Sequence, residues 1–275
     1  MRRNKRRLVI FLSVFLIAAA ISLKLVLDYT YRLPVLMYHS IDYTDDKSNR
    51  MTVSPEIFAK QIKFLSDKKY NVIPLAEAVD YIEKRIRPPA KTVAITLDDG
   101  YENNYIYAYP VLKRHKIPAT IFVVADLAGK EGFMTWDEIR ELSDSGLVEI
   151  GSHTVSHYWL QYLDDKLLKH ELEDSKEIIE TRLGREARFI CYPMGSYDER
   201  VKQAARHAGY RAGFATKPTR ILPNHDVYEI KRVRISPAAN NLFVFWIKAS
   251  GYHAFFRIIQ NDYKDIPKII WRKKS

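Results

Sequence analysis

Val93-Ala94-Ile95-Thr96-Leu97-Asp98-Asp99-Gly100 is the stretch on which the reading of this chain turns. Its first five residues are apolar or β-branched, the pattern of a strand, expected over Thr92–Leu97, buried on both faces of a parallel sheet. Two carboxylates follow where a glycine lets the chain leave the strand. Asp-Asp-Gly is also ordinary turn chemistry. Its position at the carboxyl end of a buried strand gives it more weight, because α/β folds carry their chemistry there.

Strands of the same kind are expected at Leu33–Met37 (ending at Tyr38-His39), Ala119–Val124, Val148–Ser152, Arg188–Tyr192, Arg211–Thr216 and Lys231–Ser236. Helical segments separate them. One starts at Pro55 behind the cap Ser54, with Ile57, Phe58, Ile62 and Phe64-Leu65 near helical spacing. Others follow Pro74 and Asn103, cover 135–145, run from Lys166 to Leu183 with Gly184 as the stop, and cover 198–208 before Gly209. Residues 40–53 are polar and read as a loop over the site. Alternating strands and helices argue for parallel pairing with crossover helices. A count near seven or eight strands predicts a closed or partly open α/β barrel.

The second informative cluster is Ser152-His153-Thr154-Val155-Ser156-His157. Residues i and i+4 share one face of a helical turn, so a helical segment would let both imidazoles reach one ion. The same pair also fits two ordinary polar residues at a helix mouth. Two carboxylates with two imidazoles suffice for a catalytic metal site with an open position and a separate base.

Composition sets bounds on this reading. The 275 residues, 47% hydrophobic and 28% charged, are those of a folded chain with a sizeable core and one or two domains. The formal charge of +11 favours polyanionic surroundings, and much of it lies at the two ends. No basic stripe with interleaved aromatics lies near the acid and histidine clusters, which argues against nucleic acid as a partner. Cys191 is the sole cysteine, which excludes a disulfide scaffold.

Arg2, Arg3, Lys5, Arg6 and Arg7 precede Leu8–Leu27, twenty residues whose one charge is Lys24. That length can span a bilayer, and the basic flank puts the N-terminus inside and the body outside. A signal peptide cleaved near Ala18-Ala19-Ala20 is the competing reading, and either one exports the body from the cytoplasm. Three regions are therefore expected: a basic flank with anchor or signal at 1–29, a barrel at 30–240, and an aromatic-rich helical extension at 241–275. The extension, with Phe243, Phe245, Trp246, Phe255, Phe256, Ile258 and Ile259, reads as a helix covering the barrel or as a wall- or membrane-contacting segment.

Thr96-Leu97-Asp98-Asp99-Gly100 followed by Ser152-His153-Thr154-Val155-Ser156-His157 resembles the first two motifs of the polysaccharide deacetylases, carbohydrate esterase family 4. Tyr192-Pro193-Met194-Gly195-Ser196-Tyr197-Asp198 is similar to the family's Pro-x-Gly loop, and Pro34-Val35-Leu36-Met37-Tyr38-His39 to the opening of one branch with an early Met-Tyr-His. The resemblance spans about residues 33–236 and implies an irregular (β/α) barrel of about seven strands. It also implies N-deacetylation of an N-acetylhexosamine polymer such as peptidoglycan, a chitin-like chain or poly-N-acetylglucosamine.

By the same resemblance Asp99, His153 and His157 are metal ligands and Asp98 is the general base. The backbone near Met194, within Tyr192, Pro193, Met194 and Gly195, meets the oxyanion. The late Leu-x-His of many relatives has no counterpart, since His207, His225 and His253 have other surroundings, and His39 takes the role of acid toward the departing amine. The ligand set suits Zn2+, with Co2+, Ni2+ or Fe2+ compatible.

The chain departs from the family's pattern at a second place. The arginine that buttresses the base in many relatives is replaced here by Cys191, which reads as a small buried hydrophobe. Arg232 or Arg234 could supply the charge from another strand, and alternation puts both on one side, so it does not separate them. Other readings are a hydrolase of another amide or of an O-acetyl ester on the same site, and a catalytically silent wall-polysaccharide binder. A serine hydrolase finds no Gly-x-Ser-x-Gly.

Overall fold

The computed structural model describes residues 2–46, 49–216 and 226–253. They fall into two units, each described by itself. One unit contains helix α1 (Arg2–Thr30), whose segment Val9–Tyr29 is 21 residues long and apolar enough to cross a membrane. The other unit spans residues 33–219 and 224–253.

The second unit is a parallel barrel. Its strands are β1 (Val35–Tyr38), β2 (Thr92–Leu97), β3 (Ala119–Val123), β4 (Val148–Ser152), β5 (Phe189–Cys191) and β6 (Ala212–Ala215), followed by the short β7 (Ile230–Lys231) and β8 (Val233–Arg234). Each of β1 to β6 pairs in parallel with its neighbour in that order. β7 pairs with β6 and β8 with β1, so residues 230–234 bridge the two edges and make a seventh stave. A further short strand, Asn71–Val72, pairs with the start of β2.

The strands β1, β2, β3, β5 and β6 are buried on both faces, as a parallel sheet under helices requires. Within the barrel lie Val35, Ala94, Phe122, Phe189, Cys191, Ala212, Phe214 and Ile230. Their neighbours in sequence face outward to two other clusters. One is built with α2 (Pro55–Asp67), α4 (Tyr109–His115) and α5 (Trp136–Asp144). The other is built with α6 (Asp165–Leu183) and α7 (Glu199–His207). The helix α3 (Leu75–Glu83) sends Leu75, Ala78 and Val79 into the inner cluster.

Local signals explain the helix ends. Ser54 accepts from the amide of Ile57, with Pro55 at the first helical position of α2. Thr135 and Glu138 form a capping box on α5. Gly184 closes α6 in the left-handed conformation. The helix after Asn103 begins as a π turn, Asn104–Ala108, which lets Asn104 stay buried and donate to the carbonyl of His39 at 2.8 Å. The polar segment 40–53 holds two paired short strands, Ser40–Ile41 and Thr52–Val53.

Beyond the barrel, α8 (Leu242–Ala249) packs Phe245 against Phe64 of α2 and leaves Phe243 exposed. Residues 254–275, with Phe255, Phe256, Ile258 and Ile259 of the expected extension, lie outside the described residues, as does His225.

Candidate metal and catalytic site

The site lies at the carboxyl ends of the staves. His39 follows β1, Asp98 and Asp99 follow β2, His153 follows β4, and Cys191 ends β5. β2 stops at Leu97 because Asp99 and Gly100 both take positive φ, +72° and +77°. The turn brings both carboxylates to the same site, which strand alternation would have prevented. Left-handed backbone at a residue other than glycine is strained and concentrates at functional sites.

The ligand set converges. Asp99 Oδ1 lies 3.4 Å from His153 Nε2 and 3.4 Å from His157 Nε2. The three ligand atoms fall within 4.8 Å of one another, a separation that one divalent cation can bridge. His153 Nδ1 bonds the carbonyl of Cys191 at 2.7 Å, which fixes the tautomer and turns the Nε2 lone pair toward Asp99. The expected helix between the histidines is absent, a correction to the i, i+4 argument. Residues 153–157 form a loop in which Thr154 and His157 are left-handed, with φ of +69° and +62°. The two rings meet edge to face at 4.7 Å by loop geometry.

Asp98 is buried beside this set and belongs to a different network. Arg232 donates from Nη1 to Oδ1 and from Nη2 to Oδ2, both at 2.6 Å. Its Nη1 also reaches Thr96 Oγ1 at 3.0 Å and its Nη2 reaches Cys191 Sγ at 2.9 Å. The guanidinium lies over the Phe122 ring inside the barrel. Burial pushes the Asp98 carboxyl up, but the Arg232 charge and hydrogen bonds outweigh it and hold the group below its ordinary range. Asp99 is likewise held below its ordinary range; its burial is outweighed, first of all by His153.

Of the two arginines expected to supply a charge, Arg232 pairs with Asp98 and Arg234 does not. Arg234 is exposed, and its carbonyl accepts from Lys248. Alternation put the pair on one side; the structure separates them because Arg232 sits at the break between β7 and β8, where the pleat is interrupted. Cys191 is buried as expected but lies within the site, 3.7 Å from Asp98 Oδ2 and 3.9 Å from His153 Nε2. Burial pushes its thiol pKa up in spite of the adjacent guanidinium, so it stays a neutral thiol.

His39 is 6% exposed, with Nε2 3.8 Å from Asp98 Oδ2. Burial lowers its pKa and Asp98 partly offsets that. His157 is drawn down to about 4, by burial first and by His153. Tyr101, beside Asp99 and stacked on Phe133, has its phenol pushed up to about 12 by burial and by that carboxylate.

The Pro-x-Gly turn needs one correction. Cys191 points into the barrel and Tyr192 points out, where its ring joins the cluster under α6 and α7. Its hydroxyl donates to the Tyr228 carbonyl and comes so close to Gly213 that a Cβ there would meet it at 2.1 Å. The Tyr192 side chain therefore has no part in the site. In the turn Pro193–Gly195 the amides of Tyr192, Gly195 and Ser196 donate to the carbonyls of Phe214, Tyr192 and Pro193. Among the described residues this leaves the N–H of Met194, left-handed and half exposed, as the turn's remaining donor.

Similar proteins were found by sequence and by structure. The family description "Polysaccharide deacetylase" matches residues 85–213. The Bacillus subtilis (strain 168) protein YxkH, whose name assigns it to the polysaccharide deacetylases, is 35% identical over 206 residues, 75% of this chain and 72% of that protein. A poly-beta-1,6-N-acetyl-D-glucosamine N-deacetylase of Staphylococcus aureus (strain MSSA476) is 31% identical over 216 residues, 74% of this chain and 73% of the relative. The Streptococcus pyogenes deacetylase PplD, solved in complex with acetate, superposes with a TM-score of 0.69 at 27% identity, covering 74% of this chain and 92% of that one.

Proposed function

Because the chain belongs to the polysaccharide deacetylase family, we propose that it is a metal-dependent hydrolase that removes N-acetyl groups, as acetate, from an N-acetylhexosamine polymer of the cell envelope. The observation that carries this reading is the meeting of Asp99, His153 and His157 around one point with Asp98, paired with Arg232, beside it. Poly-β-1,6-N-acetylglucosamine is the first substrate to consider, since the Staphylococcus aureus relative is named for it.

An acetamide is a poor electrophile, and water at neutral pH is a poor nucleophile. A divalent cation held by Asp99, His153 and His157, zinc first, with cobalt, nickel or iron compatible, would polarise the carbonyl and lower the pKa of bound water. Asp98, ionised and oriented by Arg232, takes the proton of the attacking water. The Met194 amide donates to the oxygen on which negative charge develops. His39, adjacent to Asp98, takes over the proton that Asp98 has removed from the water and delivers it to the departing amine.

Two expected results follow. With the full-length protein in detergent, acetate release from poly-β-1,6-N-acetylglucosamine, chitin oligomers and peptidoglycan is measured with and without a chelator. Release that stops on chelation and returns with zinc supports the reading; release indifferent to chelation, or none from any polymer by protein with metal bound, overturns it. Replacing His39 with Phe should lower the rate by roughly 10²–10⁴ while elemental analysis shows metal content unchanged. Full activity in that variant would remove His39 from the mechanism.

The helix α1 and its basic flank support a single-pass tether at residues 1–29 with the barrel, residues 30–240, outside the cytoplasm. Cleavage after export would give a secreted form, and N-terminal sequencing of the mature protein distinguishes the two.

A further inference from the structure

The loop that carries both histidine ligands has every amide from 153 to 157 satisfied. His153 donates to the Val123 carbonyl, Thr154 to Ser152 Oγ at 3.0 Å, and His157 to Thr154 Oγ1 at 3.1 Å. The remaining two, Val155 and Ser156, both donate to Glu171 Oε2, at 3.0 and 2.9 Å. Glu171 is fully buried on α6, outside the ligand set. Its other oxygen, Oε1, is buried with no hydrogen-bond partner among the described residues. A buried carboxylate with an unpartnered oxygen destabilises a fold unless it replaces a larger loss. Here that loss would be two orphaned amides in a loop with two left-handed residues.

The same helix grips the loop a second time. One turn after Glu171, Ser175 meets Ser152 Oγ at 2.9 Å, directly before His153. Ser175 is in turn tied to the Tyr210 hydroxyl at 3.0 Å. The two contacts hold the chain on either side of His153, at Ser152 and at the Val155 and Ser156 amides before His157, from one rigid surface.

We propose that Glu171 is a positioning residue of the metal site, holding the 153–157 loop in the conformation in which His153 and His157 can share one cation. This rests on the metal-dependent reading above. Glu171 touches neither ligand ring; it acts through the Val155 and Ser156 peptides between them. Outer groups that orient metal ligands commonly change metal affinity by about 10–100-fold when removed.

The test uses full-length protein in detergent, stripped by a chelator and then titrated. Zinc affinity is read by competition with a chromophoric chelator, and Co2+ is followed by its visible absorption as a report on coordination geometry. Glu171→Leu is expected to bind zinc about 10–100-fold more weakly with an altered Co2+ spectrum. Glu171→Gln, which keeps an oxygen for both amides, should restore the wild-type spectrum and most of the affinity. If Glu171→Leu does not fold, Glu171→Asp keeps the carboxyl group but draws its oxygens back from the loop, and the same loss is expected. Wild-type affinity and spectrum in the folded Leu or Asp variant overturn the inference, even if thermal stability falls. Failure of the wild type to bind zinc or cobalt would instead overturn the metal reading on which it rests.

Discussion

Asp98→Asn is expected to reduce acetate release by roughly 10²–10⁴ while leaving metal stoichiometry at the wild-type level. The ligands Asp99, His153 and His157 are untouched by the change, so elemental analysis should give the same metal content. The side chain keeps its size, and its oxygen can still accept from Arg232, so gross packing is preserved. An amide cannot take the proton from the attacking water. A variant retaining activity within an order of magnitude of wild type would remove Asp98 as the base. Loss of the metal together with the activity would instead make Asp98 part of the ligand shell.

The second large effect is expected at Arg232, whose replacement by Met leaves the Asp98 carboxylate buried without its counter-charge. Breaking one side of a buried ion pair commonly costs about 3–5 kcal/mol, and here the pair is bidentate and fully enclosed. In the wild type the Asp98 pKa is depressed below its unfolded value. Its contribution to stability is therefore present above the unfolded pKa and lost as pH falls through the folded one. In Arg232→Met burial is opposed only by the weaker pull of His39 and His153, so the folded pKa rises. The charged group then destabilises the variant relative to wild type near neutrality, and protonation relieves this as pH falls. The gap in melting temperature between variant and wild type should thus narrow on acidification. The acidic limb of the rate profile should move to higher pH, because the base is protonated over a wider range. Arg232→Lys restores charge without the planar fork and is expected to fall between the two. A pH-independent gap in melting temperature with an unmoved rate profile would show that Arg232 only fills space.

Much of the barrel was legible from periodicity. Thr92–Leu97 was bounded correctly because a buried parallel strand reads as an apolar, largely β-branched run ending at a turn residue, and Val148–Ser152 because it leads directly into the histidine cluster. The closure of the ring was not. Residues 230–234 belong to both edges of the sheet, and the break at Arg232 that joins them leaves no mark on hydrophobic alternation.

The site divides in the same way. Asp98, Asp99, His153 and His157 announce themselves by residue type and spacing, but the helix expected between the histidines is a loop with two left-handed residues. Glu171 left a faint local sign, a carboxylate on the face of α6 shared with Leu168, Leu172, Ser175 and Ile179, and it was not read.

Residue order alone decided which side chains hold chemistry and that a parallel α/β scaffold presents them at its strand ends, since strand burial and turn chemistry are local properties. Which arginine neutralises the base, that Cys191 lies against that arginine and Tyr192 faces away, and that α6 grips the histidine loop were decided by chain closure. Those pairs are 134, 41 and about 15 residues apart in sequence, and only packing brings them within a hydrogen bond.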